Sequence, residues 1–282
     1  VDATLGGGGH TEAILEKFPE IRAAAFDRDE NARRIAKERL EVFSDRLRIM
    51  PSNFRELGNF AGELTEEMGE ASGVLFDLGV SNMQLTAPER GFSYQEDGPL
   101  DMRMDVSEDV PTAADILREY DISGLARIFR EYGEDRHAYR IARAIVRARD
   151  EGQAPETTGD LSRLIRNSLP APVQRRMRGH PARRVFQALR IAVNGELEAI
   201  PEGLRGAYEI TKDGGAIIVI SYHSLEDRII KRTFNSWAQE RKGSMKARRP
   251  EVPGGEEIDE NRKSRSAKLR AFIVHKKEAG DI

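Results

Sequence analysis

The chain opens with Val1-Asp2-Ala3-Thr4-Leu5, runs into four consecutive glycines at 6–9, and continues with His10 and Thr11. A glycine run costs backbone entropy on folding, so it persists where something must approach the main chain closely. The stretch reads as a strand end, a tight turn, and a helix capped by Thr11 that continues to Phe18. That unit belongs at the ligand crevice of a doubly wound sheet, which lies at the carboxyl ends of the strands. The fold class predicted is α/β, a Rossmann-like doubly wound sheet.

Three ligand classes compete for such a turn. A nucleotide phosphate loop needs a lysine after its glycines, and none follows here. A dinucleotide fingerprint fits at Gly6 and Gly8 but meets Thr11 at its third position. A ligand without a pyrophosphate is left, and S-adenosylmethionine is the obvious candidate. A tight turn holding no ligand is the structural alternative.

Along the chain, Ile21 to Phe26 reads as a second strand ending in Asp27-Arg28-Asp29. An acid about 20 residues past the glycine turn is placed to accept from a ribose diol. Asp27 is assigned that role, and Asp29 the cap of a helix from Glu30 to Phe43. Arg46 to Met50 is a third strand, after which Phe54 offers a ring to an adenine, although a lone phenylalanine more often belongs to the core. A short helix passes through Leu57, Phe60 and Leu64. Gly73 to Phe76 is a buried fourth strand that delivers Asp77-Leu78-Gly79-Val80-Ser81 to the crevice. Residues 84–105 form a long aperiodic loop, rich in glycine, proline and polar groups, that reads as a lid or substrate wall.

From about Pro111 the pattern turns helical: Thr112 to Tyr120, Gly124 to Glu131, Arg136 to Asp150, Gly159 to Ser168, and Val185 to Ile200. The sheet resumes at Gly214 to Ile220. The predicted organisation is therefore a sheet domain in two parts, 1–105 and 195–282, with an all-helical substrate-recognition domain inserted at 106–194. Residues 136–190 hold thirteen arginines, no lysine and four acids, a net of +9 in a chain whose formal charge is −3. Segregation on this scale is an electrostatic footprint for a polyanion partner; the alternative is a solvated helix surface laced with ion pairs, for which acids are few. Arginine in preference to lysine suits phosphate forks and base stacking. Arg175, Arg176, Arg178, Arg183 and Arg184 are the candidate RNA contacts. After the fifth strand, Ser224 is expected to cap a helix to Trp237, with Asp227 at its third position. Arg241 to Arg249 and Arg262 to Arg270 are basic segments flanking an acidic loop, and Leu269 to Val274 is the last strand.

With these residues in view, the chain resembles the small-subunit ribosomal RNA methyltransferase H family. The likeness is carried by Val1 to His10, Asp77-Leu78-Gly79-Val80-Ser81, Arg90-Gly91-Phe92-Ser93 and Gly98 to Met104, in that order. It continues in Phe186 to Asn194, His223 to Arg228 and Ser264 to Arg270. Thr86 departs from the aspartate usual in that family. The resemblance implies an S-adenosylmethionine-dependent cytosine-N4 methyltransferase acting on the decoding region of 16S ribosomal RNA in the small subunit. It implies cofactor contacts at Gly8, Gly9, His10, Asp27, Phe54, Asp77 and Gln84, of which His10 and Gln84 rest on resemblance alone.

A cytosine amine is a poor nucleophile because its lone pair is delocalised into the ring. An enzyme must hold its N–H groups with acceptors while the methyl is presented in line. Ser81, Asp101 and His223 are candidates, and the residues alone do not choose among them. No metal is needed for that transfer. The chain has no cysteine, which excludes a C5 methylation through a cysteine adduct and a zinc base deaminase. The rival from another class is a non-catalytic RNA-binding protein on a methyltransferase-like scaffold, which would have lost the glycine turn or the ribose acid. No apolar run reaches membrane-spanning length, no signal peptide is expected, and the lack of cysteine suits a reducing compartment. A cytoplasmic protein is expected, with its oligomeric state, a homodimer included, left open.

Overall fold

The computed structural model describes residues 1–177 and 179–276. The chain separates into two compact units, one made of 1–79 and 197–282, the other of 80–196. The first is a mixed α/β layer structure. Its opening segment adds only a bridge at Asp2, yet it holds a central strand position. The Asp2 N–H donates to Ala24 O and the Ala3 N–H to Leu75 O, so both neighbours are tied to it. After the glycines come α1 (Gly9–Lys17), β1 (Ala23–Phe26), α2 (Glu30–Arg39), β2 (Leu47–Met50), α3 (Ala61–Met68) and β3 (Ala71–Asp77). All four residues of β1 are buried, as expected for a parallel strand covered on both faces.

The second unit is helical: α4 (Asn82–Thr86), α5 (Ala113–Glu119), α6 (Ile122–Glu131), α7 (Ala138–Asp150), α8 (Thr158–Ser168), α9 (Ala171–Arg176) and α10 (Arg183–Asn194). Among the described residues of 106–194 no segment is a strand. Its core joins Phe129, Ile141, Ile145, Leu161 and Leu189 to Phe92, Leu100 and Met102 of the long loop. That packing moves the boundary of the helical unit back to residue 80 from the expected 106. The loop is ordered by backbone contact. A Cβ on Gly98 would lie 1.9 Å from Pro88 O, and one on Gly91 2.1 Å from Pro99 O. Met102, fully buried with φ 62, is clamped by the Asn194 amide, which donates to Met102 O and accepts from the Met104 N–H.

The expected helix from Val185 to Ile200 is in fact two. Gly195, at φ 56, ends α10 in the left-handed region, and α11 (Glu196–Ile210) starts at the next residue. The chain then returns to the sheet through β4 (Thr211–Ser221), α12 (Ser224–Gln239), β5 (Gly243–Met245), α13 (Gly255–Glu260) and β6 (Lys268–Val274). β3 pairs parallel with β4, and β6 is antiparallel to both β4 and β5. With the Asp2 bridges to Ala25 and Leu75, the strand order is β2, β1, opening segment, β3, β4, β6, β5. The unit's core gathers Phe26, Phe76, Leu204 and Ile217 with an aromatic group of Phe234, Trp237 and Phe272.

Candidate functional site

The glycine turn is held from three directions. Gly6 and Gly8 have φ 51 and 83, values that favour glycine over any L side chain. A Cβ on Gly8 would stand 2.9 Å from Leu40 Cδ1, so the close approach at that position is to packing beneath the turn. Helix α1 begins at Gly9 with Gly8 as its cap, three residues before the expected cap at Thr11. Thr11 is not the cap, because its hydroxyl donates instead to the buried Asp2 carboxylate at 2.7 Å. Asp2 also accepts from the Thr4 N–H at 3.1 Å. The N–H groups of the first helical turn have no intrahelical acceptor, so Gly9 and His10 bring backbone donors to the turn.

Asp27, at the end of β1, closes one side. Its two oxygens accept from the Gly6 N–H at 2.7 Å and the Asp29 N–H at 2.8 Å. Burial pushes this carboxyl up to about 6 in spite of those bonds. Asp29 caps α2 through the Asn31 N–H, as the spacing predicts.

Asp77, at the end of β3, closes the other side. Its N–H donates to Thr4 Oγ1 at 2.6 Å, which ties it to the opening segment. Its carboxylate accepts from the Tyr222 hydroxyl at 2.8 Å and stands 3.8 Å from His10 Nδ1, whose side chain is half exposed. Burial raises the Asp77 carboxyl above its ordinary value, opposed by the Tyr222 hydrogen bond and by His10. The Tyr222 phenol is itself pushed up by burial and by Asp77, so it remains a donor at neutral pH. Two desolvated carboxylates therefore flank one glycine turn. Both can accept hydrogen bonds from hydroxyl or ammonium donors of a ligand at that turn.

The remaining expected residues are more fully occupied by local structure. The Phe54 ring packs edge-on against Phe76 at 5.6 Å and lies over Gly203, so it is partly core. His223, not Ser224, caps α12: its Nδ1 accepts from the Glu226 N–H, and Glu226 Oε2 accepts from the Tyr222 and His223 N–H groups. The cap moved by one residue because the buried Glu226 completes a capping box that Asp227 cannot. Asp227 pairs instead with Arg270 at 2.7 Å and Lys268 at 3.2 Å.

In the helical unit, Ser81 and Gln84 form a reciprocal capping box on α4, with bonds of 3.2 and 3.0 Å. Asp101 is held in a fork by Arg103 at 2.8 and 3.0 Å. Burial alone would raise the Asp101 carboxyl, but the Arg103 bonds outweigh it and hold it below the usual range. Arg175, Arg176, Arg183 and Arg184 are exposed. Arg184 Nη1 donates to Glu134 O at 2.7 Å. Arg178 lies outside the described residues.

Sequence reasoning missed Tyr222 and the structural role of Asp2. Tyr222 had a signal, since it directly follows β4, whose carboxyl end neighbours that of β3. Asp2 had none, because its partners Thr4 and Thr11 become visible only once the turn is folded.

The family model described as the MraW methylase family matches residues 1–276. The chain is also 46% identical over 297 residues to the ribosomal RNA small subunit methyltransferase H of Symbiobacterium thermophilum, across 100% of this chain and 91% of that protein. Among solved structures it is similar to an rRNA methylase from Streptococcus thermophilus, with a TM-score of 0.41 and 10% identity over 98% of this chain and 85% of that one. A Streptococcus mutans protein solved in complex with SAH gives a TM-score of 0.43 and 11% identity over 97% and 86%. Structural likeness this distant adds nothing to the sequence match. A family model that matches residues 1–276, a span that includes the glycine turn and both strand-end carboxylates, shows that this chain belongs to the MraW methylase family.

Proposed function

We propose that the protein transfers a methyl group from S-adenosylmethionine to the N4 amine of a cytosine in the decoding region of 16S ribosomal RNA, on the small subunit in the cytoplasm. The observation that carries this reading is the pair of desolvated carboxylates, Asp27 and Asp77, on the two sides of the Gly6–Gly9 turn. Asp27 has an acceptor for each ribose hydroxyl, and backbone donors hold its own orientation. Asp77, with the Tyr222 hydroxyl bound to one oxygen, keeps the other for the ligand's ammonium group. Gly8, Gly9 and His10 line the turn beside them, and Phe54 follows β2.

The bound cofactor supplies an electrophilic methyl group on a sulfonium centre. The protein's part is to align the target amine and accept its N–H hydrogens, so that the nitrogen lone pair can localise toward the methyl. Of the three candidate acceptors, Ser81 and His223 spend their side chains on helix caps. Asp101 stays ionised beside Arg103 and is the strongest acceptor. A non-catalytic RNA-binding scaffold would have no use for two partly buried, desolvated acids at the turn. The test is nucleoside mass spectrometry of 16S RNA from cells with and without the protein. Loss of N4-methylated cytidine in the deletion, restored by this chain but not by Asp27→Ala, is the expected result; an unchanged nucleoside profile refutes it.

A further inference from the structure

The expected RNA contacts cluster at 175–184, and a second basic feature of the helical unit lies elsewhere in its sequence. Along α7, Arg140, Arg143 and Arg147 are all exposed, and Arg136, also exposed, lies in the turn just before the helix. At 100° per residue the three helical arginines share an arc of about 60° over about 10 Å of axis. The opposite face, Ile141, Ala142, Ile145 and Val146, is buried in the unit's core, so the ridge cannot turn inward. Arg147 pairs with Glu151, but Arg136, Arg140 and Arg143 meet no carboxylate among the described residues. On the flank of the ridge stands Tyr139, one of the exposed large side chains at 57%. The ridge also joins the other cluster, since the Arg184 guanidinium bonds Glu134 O in the turn that leads to Arg136.

Three unpaired guanidinium groups in a row with an exposed aromatic ring alongside fit a single strand of nucleic acid. Arginine forks take successive phosphates, and the tyrosine face takes an unpaired base. An acidic protein would satisfy the charges but gives no use for the ring. We infer that the Arg136–Arg140–Arg143 ridge of α7, with Tyr139, is a docking surface for a single-stranded segment of the substrate RNA. The inference rests on the proposed RNA-methylating function and extends it to a surface on the helical unit.

The test uses the full chain with the triple variant Arg136→Ala/Arg140→Ala/Arg143→Ala and, separately, Tyr139→Ala and Tyr139→Phe. Filter binding to 16S RNA and to small-subunit particles is run across a salt series, with cofactor calorimetry and thermal melting alongside. The triple variant should lose at least tenfold in RNA affinity at moderate salt, and its log–log salt slope should fall by about two to three. Tyr139→Ala should lose about tenfold with an unchanged slope, because stacking releases no counterions, and Tyr139→Phe should bind as wild type. Cofactor affinity and melting temperature should not move in any of them. A triple variant that matches wild type in affinity and slope overturns the ridge while leaving the function standing. One that binds naked RNA normally but particles poorly assigns the ridge to a ribosomal protein and also overturns it. Wild-type protein that binds no RNA sinks both readings together.

Discussion

Asp27 shows how much one side chain is asked to do. Two backbone N–H groups hold its carboxylate at the turn, yet burial keeps its pKa near 6, above the ordinary 3.8. A folded-state pKa above the unfolded one means that the native protein binds the proton more tightly. The associated stability is fully present below about pH 4 and is lost as pH rises through 6. Its ceiling is about 3 kcal/mol by the linkage relation, less for the part of the group that reaches solvent. In the ligand-free protein, the melting-temperature advantage of Asp27→Asn over wild type should therefore open between pH 4 and pH 7. A gap that does not change with pH would contradict the burial argument. A ribose diol needs the ionised acceptor, so cofactor affinity should fall as pH drops through 6. Asp27→Ala should weaken cofactor binding more than tenfold at pH 7.5, read by calorimetry. At this scale the acid's role was legible from its distance to the glycines. The caps at Thr11 and Ser224 were misplaced because a buried partner, Asp2 or Glu226, competes for the side chain or completes a better box one residue away.

The elements follow the apolar pattern closely where they are buried and depart from it where glycine intervenes. Gly195 splits a continuous helical periodicity into α10 and α11, because a left-handed residue ends a helix whatever the pattern beyond it. β5 was not anticipated, since three residues carry no periodicity and the strand exists only by pairing with the β6 edge. Two glycines make opposite predictions. Gly206 on α11 packs against the segment before α3, where an added Cβ would lie 2.3 Å from Gly58 N, which is backbone and cannot yield. Gly206→Ala should cost more than about 2 kcal/mol by overpacking. Gly62 within α3 is exposed, and a Cβ there meets nothing within 4 Å. Gly62→Ala should stabilise by about 0.5–1 kcal/mol through helix propensity. Urea unfolding of both variants distinguishes a packing glycine from a merely tolerated one.

On the scale of the whole molecule, the turn with its two strand-end carboxylates and the arginine-rich stretch 136–190 belong to different units. The sheet unit carries the turn, and within the helical unit residues 136–190 hold thirteen arginines against four acids. If the division is functional, removing Arg175, Arg176 and Arg178 together should weaken binding to small-subunit particles and lower the salt slope by up to about three. Cofactor affinity should stay within error, since none of these arginines belongs to the sheet unit. Filter binding across a salt series with a cofactor titration as control measures both. A triple variant that bound particles normally but lost the cofactor would reverse the assignment of roles.

What the sequence determined by itself was local and periodic. The glycine turn, the acids at fixed distances after it, the alternation of strand and helix, and the change to continuous helix after Pro111 all follow from short-range rules of backbone conformation and burial. The surplus of arginine over acid in 136–190 is a matter of counting. Tertiary structure decided what depends on partners far apart in the chain. The 80–105 loop joins the helical unit because Phe92, Leu100 and Met102 find a core there and Asn194 clamps its backbone. Asp77 acquires a hydroxyl donor 145 residues away in Tyr222. Which arginines stand unpaired on one helical face depends on which carboxylates folding brings near them, and no spacing along the chain encodes that.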